Sequence, residues 1–496
     1  MEQLSFFQDT IVQKNLTRST FSHSEVCREE ARLALDQKYA HLLEETDKFN
    51  RQLVSFQANK TEVLHSWLKY REGFSASLIE LLIKELELEP GAVILDPFAG
   101  SATTLLTAKM LGIDAVGIEL LPHCHLAWEA KSRAFVYDVA ELRQIRTLIE
   151  QITPPEVPEK FQHLAITETA FPPQAEKMLM AYTTWFDGLD ISHEAKILCK
   201  LILTSLLEEI SYTRKDGQYL RWDSRAGKIR TNNEKRVAQG KKPIHGINKG
   251  ILPEVKPILL ETLNRIIIDI IKLQRDLPPP SVQTLIEGNS LFILPTLAPD
   301  QFAGVITSPP YANRYDYTRT YALELAYLGV DDKIFNLRQD LLSCTVENKS
   351  KVNELEAHYR AIGQQHRYEQ ILAIVQGNKA LSEINTALSQ RNGRGEVNNR
   401  GVLTMIDQYF TELTFIFAEL CRVCRSGARV VFVNDNVRYA GEVIPVDTLS
   451  TNLAEQVGFT PEKIYVLPQR KGNSSQQMGK FGREALRKSI TIWKKP

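Results

Sequence analysis

The apolar run Ala303-Gly304-Val305-Ile306 stops at Thr307-Ser308-Pro309-Pro310-Tyr311, and this stop constrains the fold more than any other stretch. An apolar run closed by two prolines predicts a buried strand that cannot be extended. Proline has no N–H for a ladder, and it fixes φ at about −65°. The end of such a strand offers the Ser308 hydroxyl, main-chain carbonyls without ladder partners, and the flat ring of Tyr311. Ligands of open α/β sheets bind at that edge. A second apolar run, Ala92-Val93-Ile94-Leu95, feeds Asp96-Pro97-Phe98-Ala99-Gly100-Ser101-Ala102-Thr103-Thr104. Gly100 lets backbone approach a ligand closely, and the N–H groups of the turn point outward at the start of a helix predicted over 103–111. The strand predicted at 115–118 ends on Glu119. An acid about 20 residues after the loop has the spacing of a carboxylate that accepts both ribose hydroxyls.

Both stretches resemble the amino-methyltransferases of DNA, which use S-adenosylmethionine to methylate an exocyclic base nitrogen. Ser308 to Tyr311 is similar to that family's catalytic Asp/Asn/Ser-Pro-Pro-Tyr, and 96–104 to its Asp-Pro-Phe-x-Gly-Ser-Gly-Thr-Thr cofactor loop. The resemblance is close over about 60–135 and 281–330 and looser over 400–496. It implies an α/β fold: a Rossmann-like class I methyltransferase sheet with helices on both faces, here carrying two large, mainly helical or loop insertions. The implied cofactor is S-adenosylmethionine and the implied partner double-stranded DNA, with a companion restriction endonuclease as a further candidate partner. In the family, an aromatic segment before the loop helps to form the methionine pocket; here that segment is His65 to Ser75. The cofactor candidates are therefore Tyr70, Phe74, Ser75, Asp96, Pro97, Phe98, Gly100, Ser101, Thr103, Glu119 and Asn289. An aromatic face against a sulfonium is a cation–π contact worth roughly 0.5–2 kcal/mol; core packing of Trp67, Tyr70 and Phe74 is the competing reading. Two positions depart from the family pattern. Ala102 replaces the usual second glycine of the loop and is expected at negative φ. Asn289 stands where Gly-Asp-Ser is frequent, and its side-chain carbonyl can still accept from an adenine amine, without the charge.

The same resemblance makes Ser308, Pro309, Pro310 and Tyr311 the catalytic candidates. An exocyclic amine is a poor nucleophile because its lone pair is delocalised into the ring. Acceptors for its N–H groups, here Ser308 Oγ and the Pro309 carbonyl, draw the nitrogen toward sp³ while Tyr311 stacks on the base. Positioning and preorganised dipoles then supply most of the rate. In the family the serine form goes more often with cytosine N4, and the Asp or Asn form with adenine N6. Cytosine N4 is favoured and adenine N6 is the alternative. An RNA or protein-amide methyltransferase and a non-catalytic DNA-binding protein on this fold stay open.

At 496 residues, the chain predicts a core with large insertions or two to three domains. Its 60 basic and 60 acidic residues cancel, so only local clustering can point to a partner. Residues 212–249 carry eleven Lys/Arg against three acids, with Tyr212, Tyr219 and Trp222 interleaved. Phosphate neutralisation with aromatic stacking is what a nucleic-acid surface needs, and a solvated loop is the plainer reading. The DNA-contact candidates are Arg214, Lys215, Arg221, Arg225, Lys228 and Arg230, joined by Arg314 and Arg319 after the catalytic motif and by Lys471 in the polar stretch 470–479. For Arg314 and Arg319 the competing reading is local ion pairing with Asp316. Asp435 and Asn436 follow a strand end and are expected to face the site.

The expected organisation is an N-terminal helical segment (1–60), the cofactor half of the core (61–135), an inserted target-recognition region (136–280), the catalytic part (281–330), a second, polar insertion (331–400) with a flexible loop at 390–395, and the C-terminal core (401–496). Cys421 and Cys424 read as helix packing rather than a zinc site. Met1 to Lys14 lacks a charged-then-apolar signal, and no apolar run approaches 18 residues. A soluble cytoplasmic protein without membrane partners is the expectation.

Overall fold

The computed structural model describes residues 26–50, 52–216, 219–468, 481–482 and 485–496. Its centre is an eight-stranded sheet, and the strands are numbered along the chain. Three come early: β1 (Leu43–Glu45), β2 (Val93–Asp96) and β3 (Asp114–Glu119). A separate hairpin is formed by β4 (Thr213–Asp216) and β5 (Tyr219–Trp222). The sheet resumes with β6 (Gln283–Glu287), β7 (Phe302–Thr307) and β8 (Cys424–Asp435). A short hairpin, β9 (Val437–Tyr439) and β10 (Glu442–Ile444), precedes β11 (Thr460–Leu467) and β12 (Lys488–Lys494).

The order across the sheet is β1-β11-β12-β8-β7-β2-β3-β6. Only β12 runs antiparallel to its neighbours; every other pairing is parallel. The chain leaves β2 toward β3 and β6 on one side and later adds β7 and β8 on the other. The switch point therefore lies between β2 and β7, where a crevice opens beyond the carboxyl ends of the strands.

Alternation along each strand divides the core. Val430 and Phe432 of β8 pack with Leu95 and Val305 against the helices Gly401–Val423 and Val446–Gln456. Val431 and Val433 pack with Ile94 and Ile306 against Ala76–Glu85 and Thr103–Met110. Both faces are thus covered by helices, as parallel sheets require. The first insertion packs its helices Val139–Gln151, Pro173–Gly188, His193–Ile210 and Val255–Arg275 on the helix Pro122–Ser132 of the cofactor half, in one core that also takes in Trp67, Tyr70 and Tyr321. Caps start these helices where the sequence provides them: Asp138 accepts from Ala140 N at 2.8 Å and Ser192 from Ala195 N at 3.1 Å. Among the described residues, no helix is long and apolar enough to cross a membrane.

Three expectations are corrected. The described part of 1–60 is not simply helical: after the helix Glu30–Tyr39, Leu43–Glu45 forms an edge strand pairing in parallel with Ile464–Val466. The second insertion is helical, within what was expected of it, with Ile334–Asp340, Val352–Ala361, Gln365–Gly377 and Lys379–Gly393, and only its loop is corrected. Gln390 to Gly393 end a helix instead of forming a flexible loop, because Arg391 is buried in ion pairs with Glu396 and Glu442, each at 2.9 Å. Ala102 adopts φ 64°, ψ 33°, not the expected negative φ. It takes the family's glycine conformation because its amide closes the loop onto the Ala99 carbonyl at 2.9 Å while its own carbonyl starts the helix. A left-handed alanine costs roughly 1–2 kcal/mol.

Candidate active site

At the switch point the two motifs line one cleft. The loop supplies Pro97, Phe98, Gly100, Ser101 and Thr103; β3 supplies Glu119; the segment before the loop supplies Tyr70 and Phe74; and Asn289, Ser308 and Pro310 complete it. The cleft also takes in Glu72, Tyr317 and Asp340, which sequence reasoning does not single out. Glu72 lies in the segment 65–75, where the rings and not the acid carry the resemblance; Asp340 belongs to an insertion with no motif.

Asp96 is the hinge between the motifs. It is buried and accepts from Thr104 Oγ1 at 2.6 Å, Thr307 Oγ1 at 2.8 Å and Phe98 N at 3.1 Å. Burial raises its pKa to about 6 against the pull of these donors. Asp96 does not line the cleft, so its part is to shape the loop. Glu119 Oε2 accepts from Gly100 N at 2.7 Å, and Oε1 from Leu120 N at 2.9 Å and Leu121 N at 2.8 Å. Its pKa is nonetheless raised, since burial outweighs the three amides. Of a carboxylate's roughly four lone pairs, three are used, which is too few left to accept two hydroxyls as the spacing had suggested. Gly100 (φ 52°) is required: a Cβ there would lie 2.8 Å from Tyr70 Cε1.

Tyr70 stacks on Tyr321 at 5.3 Å, and Tyr321 on His123 at 4.4 Å. Glu72 accepts from the Tyr321 hydroxyl; its pKa is raised by burial and drawn down by Tyr315, Tyr321 and Lys215. Trp67 is core, donating from Nε1 to Asp269 at 2.9 Å. Ser75 is a correction. It is fully buried and caps the helix Ala76–Glu85 by accepting from Leu78 N at 3.1 Å, so its hydroxyl does not reach the cleft. Asn289 caps too: Oδ1 accepts from Leu291 N at 2.9 Å and Nδ2 donates to the Asp340 carbonyl at 2.6 Å. One lone pair of its carbonyl remains for a ligand.

Ser308 Oγ lies 3.2 Å from the Tyr311 hydroxyl and 3.3 Å from the Val433 carbonyl, which share its one hydrogen. Its lone pairs are left for the cleft. Pro309 is buried, and Tyr311 is half-buried outside the cofactor cleft. Asp435 ion-pairs with Lys488 at 3.1 Å beside Tyr311. Asn436 is buried and accepts from Asp447 N at 3.0 Å, so it holds the next helix instead of facing the site.

The basic stretch divides between structure and surface. Lys215 is a second correction: 3% exposed, it ion-pairs with Glu324 and lies 4.3 Å from the Tyr321 ring, anchoring the β4–β5 hairpin to the segment after the catalytic motif. Arg225 clamps Asp223 at 2.8 and 2.9 Å, and Arg221 pairs with Asp216 at 2.7 Å. Arg319 has the local pairs, 3.7 Å from Asp316 and from Glu347. Arg314, at φ 65°, donates to Asn398 at 3.3 Å and lies 5.6 Å from the Tyr439 ring. Arg214, Lys228 and Arg230 are exposed; the latter two belong to a helix, Gly227–Ala238, that buries none of its residues. Lys471 lies outside the described residues.

A doubly wound sheet, a glycine-cradled cleft at its switch point and a Ser-Pro-Pro-Tyr strand end at the same cleft define a class I methyltransferase. The family described as DNA methylase matches residues 7–129. The chain is 57% identical to the Type II methyltransferase M.BsoBI of Geobacillus stearothermophilus over 479 residues, 96% of this chain and 94% of that one. It is 40% identical to the Type II methyltransferase M.AvaI of Nostoc sp. over 470 residues, 93% of each. A shorter likeness, 33% over 89 residues, joins it to M.MjaII of Methanocaldococcus jannaschii, over 18% of this chain and 16% of that one. The chain belongs to the DNA amino-methyltransferase family and is a DNA methyltransferase.

Proposed function

We propose that the chain methylates the exocyclic N4 of a flipped cytosine in duplex DNA, at a specific site, with S-adenosylmethionine as donor. The observation that carries this reading is Ser308: it lines the cleft, and the Tyr311 hydroxyl and Val433 carbonyl, 3.2 and 3.3 Å away, can take its one hydrogen, which leaves Oγ an acceptor. An N–H of the target amine donates to it, which localises the nitrogen lone pair for attack. Tyr311 provides the stacking face, and the base leaves the helix at a cost of a few kcal/mol. The serine in the tetrapeptide supports cytosine N4, by resemblance, over adenine N6.

The cleft fits the donor. Tyr70, Phe74 and Phe98 give it an aromatic lining, and Gly100 leaves room that a Cβ would fill. Glu72, Glu119 and Asp340 offer acceptors for an ammonium and hydroxyls, and Asn289 offers one for an adenine amine. When bound, S-adenosylmethionine supplies a methyl group on a sulfonium, the cation that Tyr70 and Phe74 suit.

DNA is held, in this reading, by the region 212–249 rooted beside the catalytic segment. The helix Gly227–Ala238 is tied from behind, with Asn233 bonded to both Ile244 N (2.7 Å) and Ile244 O (3.0 Å) and Arg236 Nε donating to the Lys242 carbonyl at 2.9 Å. Its exposed Arg230, Thr231, Asn232 and Lys235 are residue types that contact phosphates and base edges. The Type II names of the relatives support a restriction-modification setting, and a companion endonuclease is part of this proposal.

The test is transfer of labelled methyl from S-adenosylmethionine to genomic DNA lacking modification, followed by nucleoside analysis. N4-methylcytosine is expected. N6-methyladenine would keep the mechanism and reverse the base, and absence of transfer to DNA would overturn the reading in favour of RNA or a protein amide.

A further inference from the structure

The sheet brings a lysine from the far end of the chain to the catalytic tetrapeptide. In the β7–β8 pairing Thr307 lies opposite Phe432, so Ser308 comes beside Val433. The strand β8 then continues to Asp435, whose partner in the antiparallel β12 register is Lys488. The result is an ion pair of 3.1 Å, its side chains only 13% and 16% exposed, at the edge where Ser308 and Tyr311 stand. The Lys488 Nζ is 5.2 Å from the centre of the Tyr311 ring.

We propose that Lys488 is a positioning residue for methyl transfer, fixing Tyr311 and, through it, the acceptor orientation of Ser308. An ammonium against an aromatic ring is attracted by it and restrains how the ring turns. The hydroxyl of that ring lies 3.2 Å from Ser308 Oγ, whose one hydrogen it shares with the Val433 carbonyl at 3.3 Å. The ring is thereby held by the ammonium and its hydroxyl by Ser308, which sets the ring plane for a base and keeps the Ser308 hydrogen inward. Asp435 neutralises the buried ammonium and fixes its direction. Without Lys488 the phenol is free to turn and to compete with the target amine for Ser308. This rests on the proposed function, since the group Ser308 serves is the target amine, but it does not depend on which base carries that amine.

The experiment is a double-mutant cycle of Lys488→Met and Tyr311→Phe, read as single-turnover methyl transfer to unmodified duplex DNA. Each change is expected to slow transfer about tenfold to a hundredfold, the scale of a misplaced reacting group. S-adenosylmethionine affinity should stay within about twofold, because neither residue lines the cofactor cleft. The double variant should be no slower than the slower single one, because residues acting through one contact are not additive. Lys488→Arg should recover most of the rate. Losses that multiply in the double variant, or an unchanged rate in Lys488→Met, would overturn the proposal while leaving the methyltransferase reading intact. An inactive wild type would overturn that reading first, and this one with it. If Lys488→Met fails to fold because Asp435 is left charged and buried, the cycle is run with Lys488→Met/Asp435→Asn, which removes both charges, and is read in the same way.

Discussion

Thr307 Oγ1 donates to Asp96 Oδ1 at 2.8 Å, across 211 positions of sequence. This hydrogen bond joins the last residue of the strand that carries the catalytic tetrapeptide to the last residue of the strand that carries the cofactor loop. Strand pairing brings β2 and β7 together, and this contact sets how their ends meet. Thr307→Val should therefore weaken the fold in a pH-dependent way. Asp96 has its pKa raised to about 6, against 3.8 in an unfolded chain. Between those values the folded state holds the extra proton, so the group's contribution falls as pH rises through the window and its ionised form leans on its donors above it. Loss of the Thr307 hydroxyl should cost on the order of 1.5–3 kcal/mol at pH 8, the worth of a hydrogen bond to a charged group, and clearly less at pH 5. Chemical denaturation at the two pH values measures it, and an equal cost at both would show that Asp96 is not ionised at pH 8.

Lys131 lies buried behind the cofactor loop, with the Ser101 carbonyl at 3.3 Å as its hydrogen-bond acceptor. Burial lowers its pKa from 10.5 to about 8. Between pH 8 and 10.5 the unfolded chain binds the proton and the folded one does not, so this residue makes stability rise with pH in that window. Lys131→Met should raise stability at pH 7 by on the order of 3 kcal/mol and abolish that part of the pH dependence. Thermal melts from pH 7 to 10.5 decide it; a destabilised variant with the slope retained would contradict the assignment.

Ala102 combines a strained φ of 64° with complete burial of its methyl group. Ala102→Gly relieves roughly 1–2 kcal/mol of backbone strain but gives up about 1 kcal/mol of buried methyl and adds unfolded-state entropy. It should be neutral within about 1 kcal/mol. Ala102→Val, β-branched in a left-handed conformation, should lose more than about 2 kcal/mol and weaken cofactor binding as the loop shifts. Melting and cofactor titration of the pair provide the check.

Arg230 and Lys235 stand exposed on the helix Gly227–Ala238. Replacing both by alanine, which keeps the helix, should weaken duplex binding and flatten the dependence of log K on log salt by about 0.9 for each phosphate the helix no longer neutralises. An unchanged salt slope in a binding titration would remove this helix from the DNA interface. Lys215→Ala should act differently, destabilising the fold through the buried Glu324 it leaves behind.

Two strand ends and the family are legible in the chain before any fold is known. Ser-Pro-Pro-Tyr and the Asp-Pro-Phe loop are local signals: a proline pair stops a strand and a glycine turn starts a helix whatever surrounds them. The same local reading marks Tyr70, Phe74, Glu119 and Ser308 as companions, and the cleft gathers all four. Whatever depends on distant partners had to wait for the folded molecule. Ser75 is a cap because its hydroxyl faces Leu78, and Lys215 a buried anchor because Glu324 lies 109 residues away. Glu72, Asp340 and Lys488 reach the site without any motif. Their burial and charge are set by strand order and by an antiparallel register across β8 and β12, pairings between segments far apart in the chain that no local pattern of residues encodes.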